Sequence, residues 1–89
     1  MPKMIVTHSV VDVDNWLKGK AERADAITAM GCTNVVDYVA EDGSKAIAVT
    51  ADVHDLAAVM AGMSSPSAEV AAAMERHGVL PPLTVFIEK

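Results

Sequence analysis

The chain has 89 residues and a formal net charge of −5, and 52% of its residues are hydrophobic although only 3% are aromatic. The length predicts one domain spanning residues 1–89. The negative charge, without any Lys/Arg cluster, excludes nucleic acid as a partner, and no apolar run approaches the ~20 residues of a membrane span. We therefore expect a cytoplasmic protein that binds neither nucleic acid nor membranes.

A core of this size needs support from outside the chain. So short a chain buries only about 60% of the surface that its unfolded form exposes. Cys32 is the single cysteine, which excludes an internal disulfide, and no Cys/His spacing typical of a zinc site is present. The remaining supplement is a partner subunit, and the high apolar content favours a homodimer.

The first predicted elements are a strand over residues 4–10 and one continuous helix that runs to about residue 30. The more apolar face of the strand, which we expect to point at the helices, carries Met4, Val6, His8 and Val10. Asp12 is the predicted N-cap of the helix, and Gly31 is the predicted C′ residue. The expected apolar stripe of this helix consists of Trp16, Leu17, Ala21, Ala24, Ile27 and Met30.

Two further strands are predicted over residues 33–40 and 45–51, joined by a hairpin turn at residues 41–44, in which Asp42-Gly43 is the strongest signal. Asp52 or Asp55 is expected to cap a second helix over residues 56 to about 63. Ser65 or Ser67 is expected to cap a third helix that runs to about residue 77, closed by Gly78. The Pro81-Pro82 pair is interpreted as a stiff extended entry to a last strand over residues 83–88.

This order predicts an α+β fold: a ferredoxin-like βαββαβ sandwich with an antiparallel four-stranded sheet, whose second helical segment is split in two. Right-handed crossovers place the first and third strands in the centre and the second and fourth at the edges. All helices then cover one face of the sheet. The other face also carries apolar side chains, so we expect two copies to dimerise sheet to sheet.

Three segments together resemble a known pattern. They are the run from His8 to Trp16 (HSVVDVDNW), residues 55–60 (DLAAVM), and residues 65–79 followed by PPLTVF. This pattern resembles the dimeric α+β barrel superfamily, which includes antibiotic biosynthesis monooxygenase-like proteins. The resemblance implies a homodimer with a pocket between each sheet and its own helices, and activities that range from cofactor-free oxygenation to isomerisation. Haem degradation is not implied, because the first strand carries His8 where the haem-degrading members resemble one another in an Asn, and the second helix lacks their Trp.

His8 is the main candidate for chemistry. It is either a buried histidine bonded to a neighbour or a general acid or base, because imidazole titrates near neutrality. Trp16 either anchors the first helix to the sheet or stacks on a ligand, and Tyr38 is either a solvent-exposed edge residue or a hydrogen-bond donor to a ligand. The inward-facing methionines either fill the core or form the ceiling of an apolar pocket over His8; they are Met60, Met63 and Met74.

Other chemistries lack support in the sequence. His8, His54 and His77 do not have a metal-ligand spacing, Cys32 has no nearby basic residue in sequence to activate it, and no phosphate loop or nucleophile elbow is present. We therefore expect a small enzyme without cofactor or metal, monooxygenase- or isomerase-like. It would act on an apolar molecule, aromatic or polyketide-like, with His8 as proton acceptor or relay. The alternative is a non-catalytic homodimer that binds a small ligand or serves in a stress response.

Overall fold

The computed structural model describes residues 2–89, which form four strands and four helices. In chain order they are β1 (Lys3–Val10), α1 (Val13–Lys18), α2 (Lys20–Ala29), β2 (Cys32–Val39), β3 (Ala46–Val53), α3 (Leu56–Ser64), α4 (Ala68–Arg76) and β4 (Val79–Ile87). The strands form one antiparallel sheet in the order β2-β3-β1-β4. The predicted α+β fold is confirmed, and β1 and β3 lie in the centre as predicted. None of the helices in residues 2–89 combines the length and apolar character that crossing a bilayer requires.

The core lies between the sheet and the helices and consists of two clusters. One contains Met4 and Val6 of β1 together with Val59 of α3. The other contains Val10 of β1 and Trp16 of α1, and Trp16 is fully buried. Alternate residues of β1 and β3 supply both clusters because successive strand side chains point to opposite faces.

The helix expected to be continuous to residue 30 is broken at Gly19, which separates α1 from α2. The break lies against the end of α4, and only glycine fits there, because a Cβ built at Gly19 would lie 2.6 Å from two ring carbons of His77. The break changes the phase of the apolar stripe, so the predicted inward residues Leu17 and Ala21 are exposed. Glu22 of α2 forms an ion pair with Arg76 of α4.

The helix ends follow the capping signals closely. Asp12 caps α1 by accepting hydrogen bonds from two backbone N–H groups, and Asp55, rather than Asp52, caps α3. Ser67, rather than Ser65, caps α4. Gly31 and Gly78 both have positive φ where α2 and α4 end, the conformation that glycine adopts most readily.

β4 begins earlier than predicted and contains both prolines instead of following them. Thr7 of β1 pairs with Thr84, whereas Ser9 pairs with Leu80. One residue of β1 therefore faces three of β4, which is a bulge in the β4 strand. The single β1 residue is His8, so the bulge leaves it without a pairing partner on this side.

The second face of the sheet is apolar and uncovered in the described chain. Its large side chains are 38–53% exposed and, by strand register, share one face; they are Ile5, Val36, Tyr38, Leu80 and Phe86. Several large exposed apolar side chains on one face are typical of a surface that a partner covers. The prediction of an apolar second face is confirmed.

Candidate functional site

His8 lies at the end of β1, half-buried, on the side of the sheet that faces the helices. Its ring contacts the buried indole of Trp16 edge to face, with 6.4 Å between ring centroids and an angle of 82° between planes. On the side of β1 away from β4, His8 pairs with Ile47 of β3. The imidazole is thus seated on a fixed aromatic surface at the end of the sheet where β4 bulges.

The hydrogen bonding of His8 defines which ring nitrogen can act as a base. Nδ1 lies 2.9 Å from the carbonyl oxygen of Ser9. A carbonyl oxygen only accepts, so Nδ1 carries the proton and donates it to Ser9. In the neutral imidazole the proton is therefore on Nδ1, and the lone pair is on Nε2.

Burial lowers the pKa of His8, the hydrogen bond to Ser9 opposes that shift, and the positive charge of Arg23 adds to it. The net direction is downward, so the imidazole is neutral at pH 7. A neutral imidazole with Nε2 unprotonated is the form that accepts a proton from a substrate.

A depression of about 530 Å³ lies beside His8 and is bordered by all four strands. By strand register, its side chains Tyr38, Ala48, Thr7 and Thr84 form one row across the uncovered face. The small residues in the centre of this row leave the hollow. The sequence placed the pocket between the sheet and the helices, whereas this depression opens on the opposite face, with His8 among its lining residues.

The depression offers hydroxyl groups and apolar surface without charge. None of its lining residues is Asp, Glu, Lys or Arg, and hydroxyls are supplied by Thr7, Ser9, Tyr38 and Thr84. A lining of this type suits a neutral molecule with oxygen substituents.

The other predicted site residues separate into two groups. Tyr38 is 51% exposed and lines the same depression as His8. Trp16 is fully buried beneath His8 and packs in the core. Met60 and Met63 pack against the cluster of Met4 and Val6, not against the one containing Trp16. They therefore do not form a ceiling over His8, because α3 lies over the other cluster. Met74 is half-buried on α4.

Sequence reasoning missed a buried ion pair that adjoins His8. Arg23 of α2 donates to both carboxylate oxygens of Asp37 on β2, at 2.8 Å and 3.4 Å, and to the backbone oxygen of Trp16 at 3.1 Å. Its guanidinium lies 3.9 Å from the centroid of the Trp16 ring. The signal available in the sequence was the single acidic residue, Asp37, inside the apolar run of β2.

The remaining titratable groups lie elsewhere. His54 bonds Thr33 at 2.8 Å, and His77 is buried at the end of α4, 3.6 Å from Glu22. Cys32 is buried, and burial raises the pKa of its thiol, which disfavours the nucleophilic thiolate. Within residues 2–89, no cluster of three His, Cys, Asp or Glu side chains is arranged to hold a metal ion.

No family model matches the chain, and no curated protein sequence matches it. Solved structures, in contrast, do match the chain. A protein from Bordetella bronchiseptica, provisionally assigned as an antibiotic biosynthesis monooxygenase, superposes with a TM-score of 0.76 at 16% identity, covering 99% of this chain and 94% of that one. SnoaB from Streptomyces nogalater, a cofactor-independent oxygenase, superposes with a TM-score of 0.67 at 14% identity, covering 96% and 89%.

The chain has the same fold as these solved structures. The resemblance noted in the sequence is confirmed at the level of fold. A further structure from Deinococcus radiodurans, assigned in the same provisional way, matches this fold over 100% of the chain and 91% of its own length, with a TM-score of 0.64 at 15% identity. These identities are too low to transfer an activity, and function within this fold has to be argued from the site itself.

Proposed function

We propose that the protein is a homodimeric, cofactor-independent enzyme of the monooxygenase or isomerase type, in which His8 removes a proton from a neutral, apolar ring compound. One observation carries the proposal: the Ser9 carbonyl holds Nδ1 of His8 protonated and leaves Nε2 as the basic nitrogen. The lowered pKa of His8 keeps that base in its active form at pH 7.

The depression beside His8 is the proposed binding site. Its hydroxyl groups would hold oxygen substituents of the substrate, and its apolar surface would receive the ring. The β4 bulge leaves His8 without a pairing partner on that side, and the substrate would approach the imidazole from this end of the sheet. Ketones or phenols of aromatic or polyketide-like type have this chemistry.

The proposed step needs only a base and a substrate with an acidic C–H. The proton passes to Nε2 of His8, and the electron pair stays on the substrate as an enolate. In the monooxygenase form, the enolate is the reductant and dioxygen the oxidant. One oxygen atom enters the product and the other leaves as water together with two substrate hydrogens. In the isomerase form, the proton returns to a different carbon. The structural neighbour SnoaB, a cofactor-independent oxygenase, supports the first form.

A second copy of the chain would cover the uncovered sheet face and close the depression from above. The large exposed side chains on this face need such a cover. Closure would also exclude water from the depression, which strengthens the polar contacts of a bound substrate there.

Oxygen uptake with anthrone, a tricyclic ketone with an acidic C–H, tests the enzyme proposal. We expect turnover by the wild type, a loss of 100-fold or more in His8→Gln by the usual magnitude of general-base catalysis, and unchanged turnover in His54→Gln. His54 is the matched control because its only described contact of this kind is with Thr33, away from the depression. Equal turnover in wild type and His8→Gln would refute the role of His8.

The second candidate function is a non-catalytic module that binds the same class of ligand. The observation that favours it is the seating of the His8 ring on Trp16, on the opposite side of the sheet from most of the depression. Thermal shift with a panel of neutral aromatic ketones and phenols separates the two functions. Binding by both wild type and His8→Gln, with turnover in neither, would establish the binding module.

A further inference from the structure

The His8 imidazole is the last member of a series of side-chain contacts that begins at a buried ion pair. Asp37 holds Arg23, Arg23 lies over the face of Trp16, and Trp16 meets the edge of His8. The Arg23 and Asp37 side chains are only 10% and 4% exposed. They come from α2 and β2, so the series joins two elements to the strand that carries the base.

The indole of Trp16 has no polar anchor of its own. Its Nε1 is buried, and no hydrogen-bond partner for it lies within residues 2–89. The plane of the ring is therefore set by what packs on it. On one face, that is a guanidinium whose own orientation is fixed by three hydrogen bonds, two to Asp37 and one to the Trp16 backbone.

We propose that Arg23, held by Asp37, is a positioning residue for His8: it fixes the plane of Trp16 on which the imidazole rests. This proposal rests on the proposed function, since it assigns the residue that orients the proposed base. Two features of arginine are required. The planar fork pairs with both carboxylate oxygens, and the flat guanidinium stacks on the indole; lysine offers neither.

The charge of Arg23 also supports the proposed role of His8 as a base. Its positive field opposes a second positive charge on the imidazole. Asp37 carries the opposite charge, but its oxygens are directed at the guanidinium and reach the imidazole only through Arg23 and Trp16. Of these two charged side chains, Arg23 is the one that lowers the pKa of His8.

NMR of the His8 ring tests the proposal without any need for turnover. Arg23→Met combined with Asp37→Leu replaces the ion pair by apolar side chains of similar size, a change that buried pairs commonly tolerate. We expect the titration midpoint of His8 to rise, because the positive charge of Arg23 is one of the causes that lower the pKa of His8. The loss of the stacked cation also lets the indole shift, so the ring-current-shifted resonances of His8 should move.

Two further variants make the result decisive. Arg23→Lys retains the charge but loses the fork, so it should move the ring resonances with little change in the midpoint, and it serves if the double variant does not fold. Lys20→Met removes a positive charge from an exposed position of the same helix and should change neither. The proposal would be overturned if His8 kept its wild-type resonances and titration midpoint in the folded Arg23 variants. It would also be overturned if Lys20→Met shifted them as much as the Arg23 variants do. If the Arg23 variants show the expected shifts but the wild type shows no turnover, the proposed function is refuted and the positioning role of Arg23 stands.

Discussion

Phe86 provides the sharpest test of the uncovered sheet face. Its side chain on the edge strand β4 is 53% exposed and pairs across the sheet with Ile5. An aromatic side chain presents roughly 200 Å², so about 100 Å² of Phe86 is available for burial against a second copy. At about 25 cal/mol per Å² that is roughly 2.5 kcal/mol, and symmetry doubles it to about 5 kcal/mol per dimer.

Phe86→Asp removes this burial and places a carboxylate in the proposed interface. Because 5 kcal/mol corresponds to between three and four powers of ten, we expect the dimer dissociation constant to rise by about a thousandfold or more. The stability of the isolated subunit should change by only about 0.5 kcal/mol, because the ring is already half exposed. Sedimentation velocity over a range of protein concentrations measures the effect.

Val11→Asp is the matched control for this experiment. Val11 is 56% exposed, but it lies in the turn after β1, outside the sheet face. The Val11→Asp variant should therefore leave the dimer intact. A wild-type protein that sediments as a monomer at tens of micromolar, or a Phe86→Asp variant as dimeric as wild type, would refute the proposed sheet-to-sheet dimer.

Three further predictions concern the subunit itself. Gly19→Ala should lower the free energy of unfolding by about 1–3 kcal/mol in urea titrations because its Cβ would overlap the His77 ring; an increase in stability would contradict this packing. Asp37→Asn leaves the buried charge of Arg23 uncompensated and should cost about 3–5 kcal/mol, whereas the Arg23→Met/Asp37→Leu double variant should cost much less. The lowered pKa of His8 means that the unfolded chain binds a proton more readily than the folded one. This contribution to stability is complete above the ordinary histidine pKa and is lost as the pH falls through it toward the lowered folded value. The thermal midpoint should therefore fall less between pH 8 and pH 5 in His8→Gln than in wild type.

Features encoded by neighbouring residues were predictable from the sequence. The N-cap role of Asp12, the positive φ of Gly31 and the hairpin at Gly43 depend on interactions within a few residues. Alternation along β1 correctly placed Met4 and Val6 in the core. The strand order followed from chain order and the handedness of crossovers.

Features that depend on distant residues were not predictable in the same way. The close packing at Gly19 involves His77, which follows the end of α4 and is distant in sequence. The early start of β4 places prolines inside a strand, which is tolerated at an edge but is not the default interpretation of a proline pair. The location of the depression depends on which small residues the register aligns across the sheet, and one slip of register would reverse the faces.

The sequence singles out His8 as the candidate residue but does not reveal its surroundings. His8 stood out as a titratable group on an apolar strand, and the structure places it beside a depression. Its support by Trp16, Arg23 and Asp37 arises from three separate elements, and no local pattern reveals such a convergence. The methionines were expected near His8 because α3 was assumed to cover that end of the sheet, whereas it packs on the cluster of Met4.

The role of His8 as the base can be tested by a long-range ¹H–¹⁵N correlation spectrum of its ring at pH 7, recorded with and without 1-naphthol as a neutral aromatic probe. We expect Nε2 to show the shift of an unprotonated ring nitrogen and Nδ1 that of a protonated one, because Nδ1 donates to the Ser9 carbonyl. Addition of the probe should shift Nε2 as it accepts a hydrogen bond from the naphthol hydroxyl. A protonated Nε2, or an Nε2 resonance unmoved by saturating probe, would contradict the assignment of His8 as the base of this site.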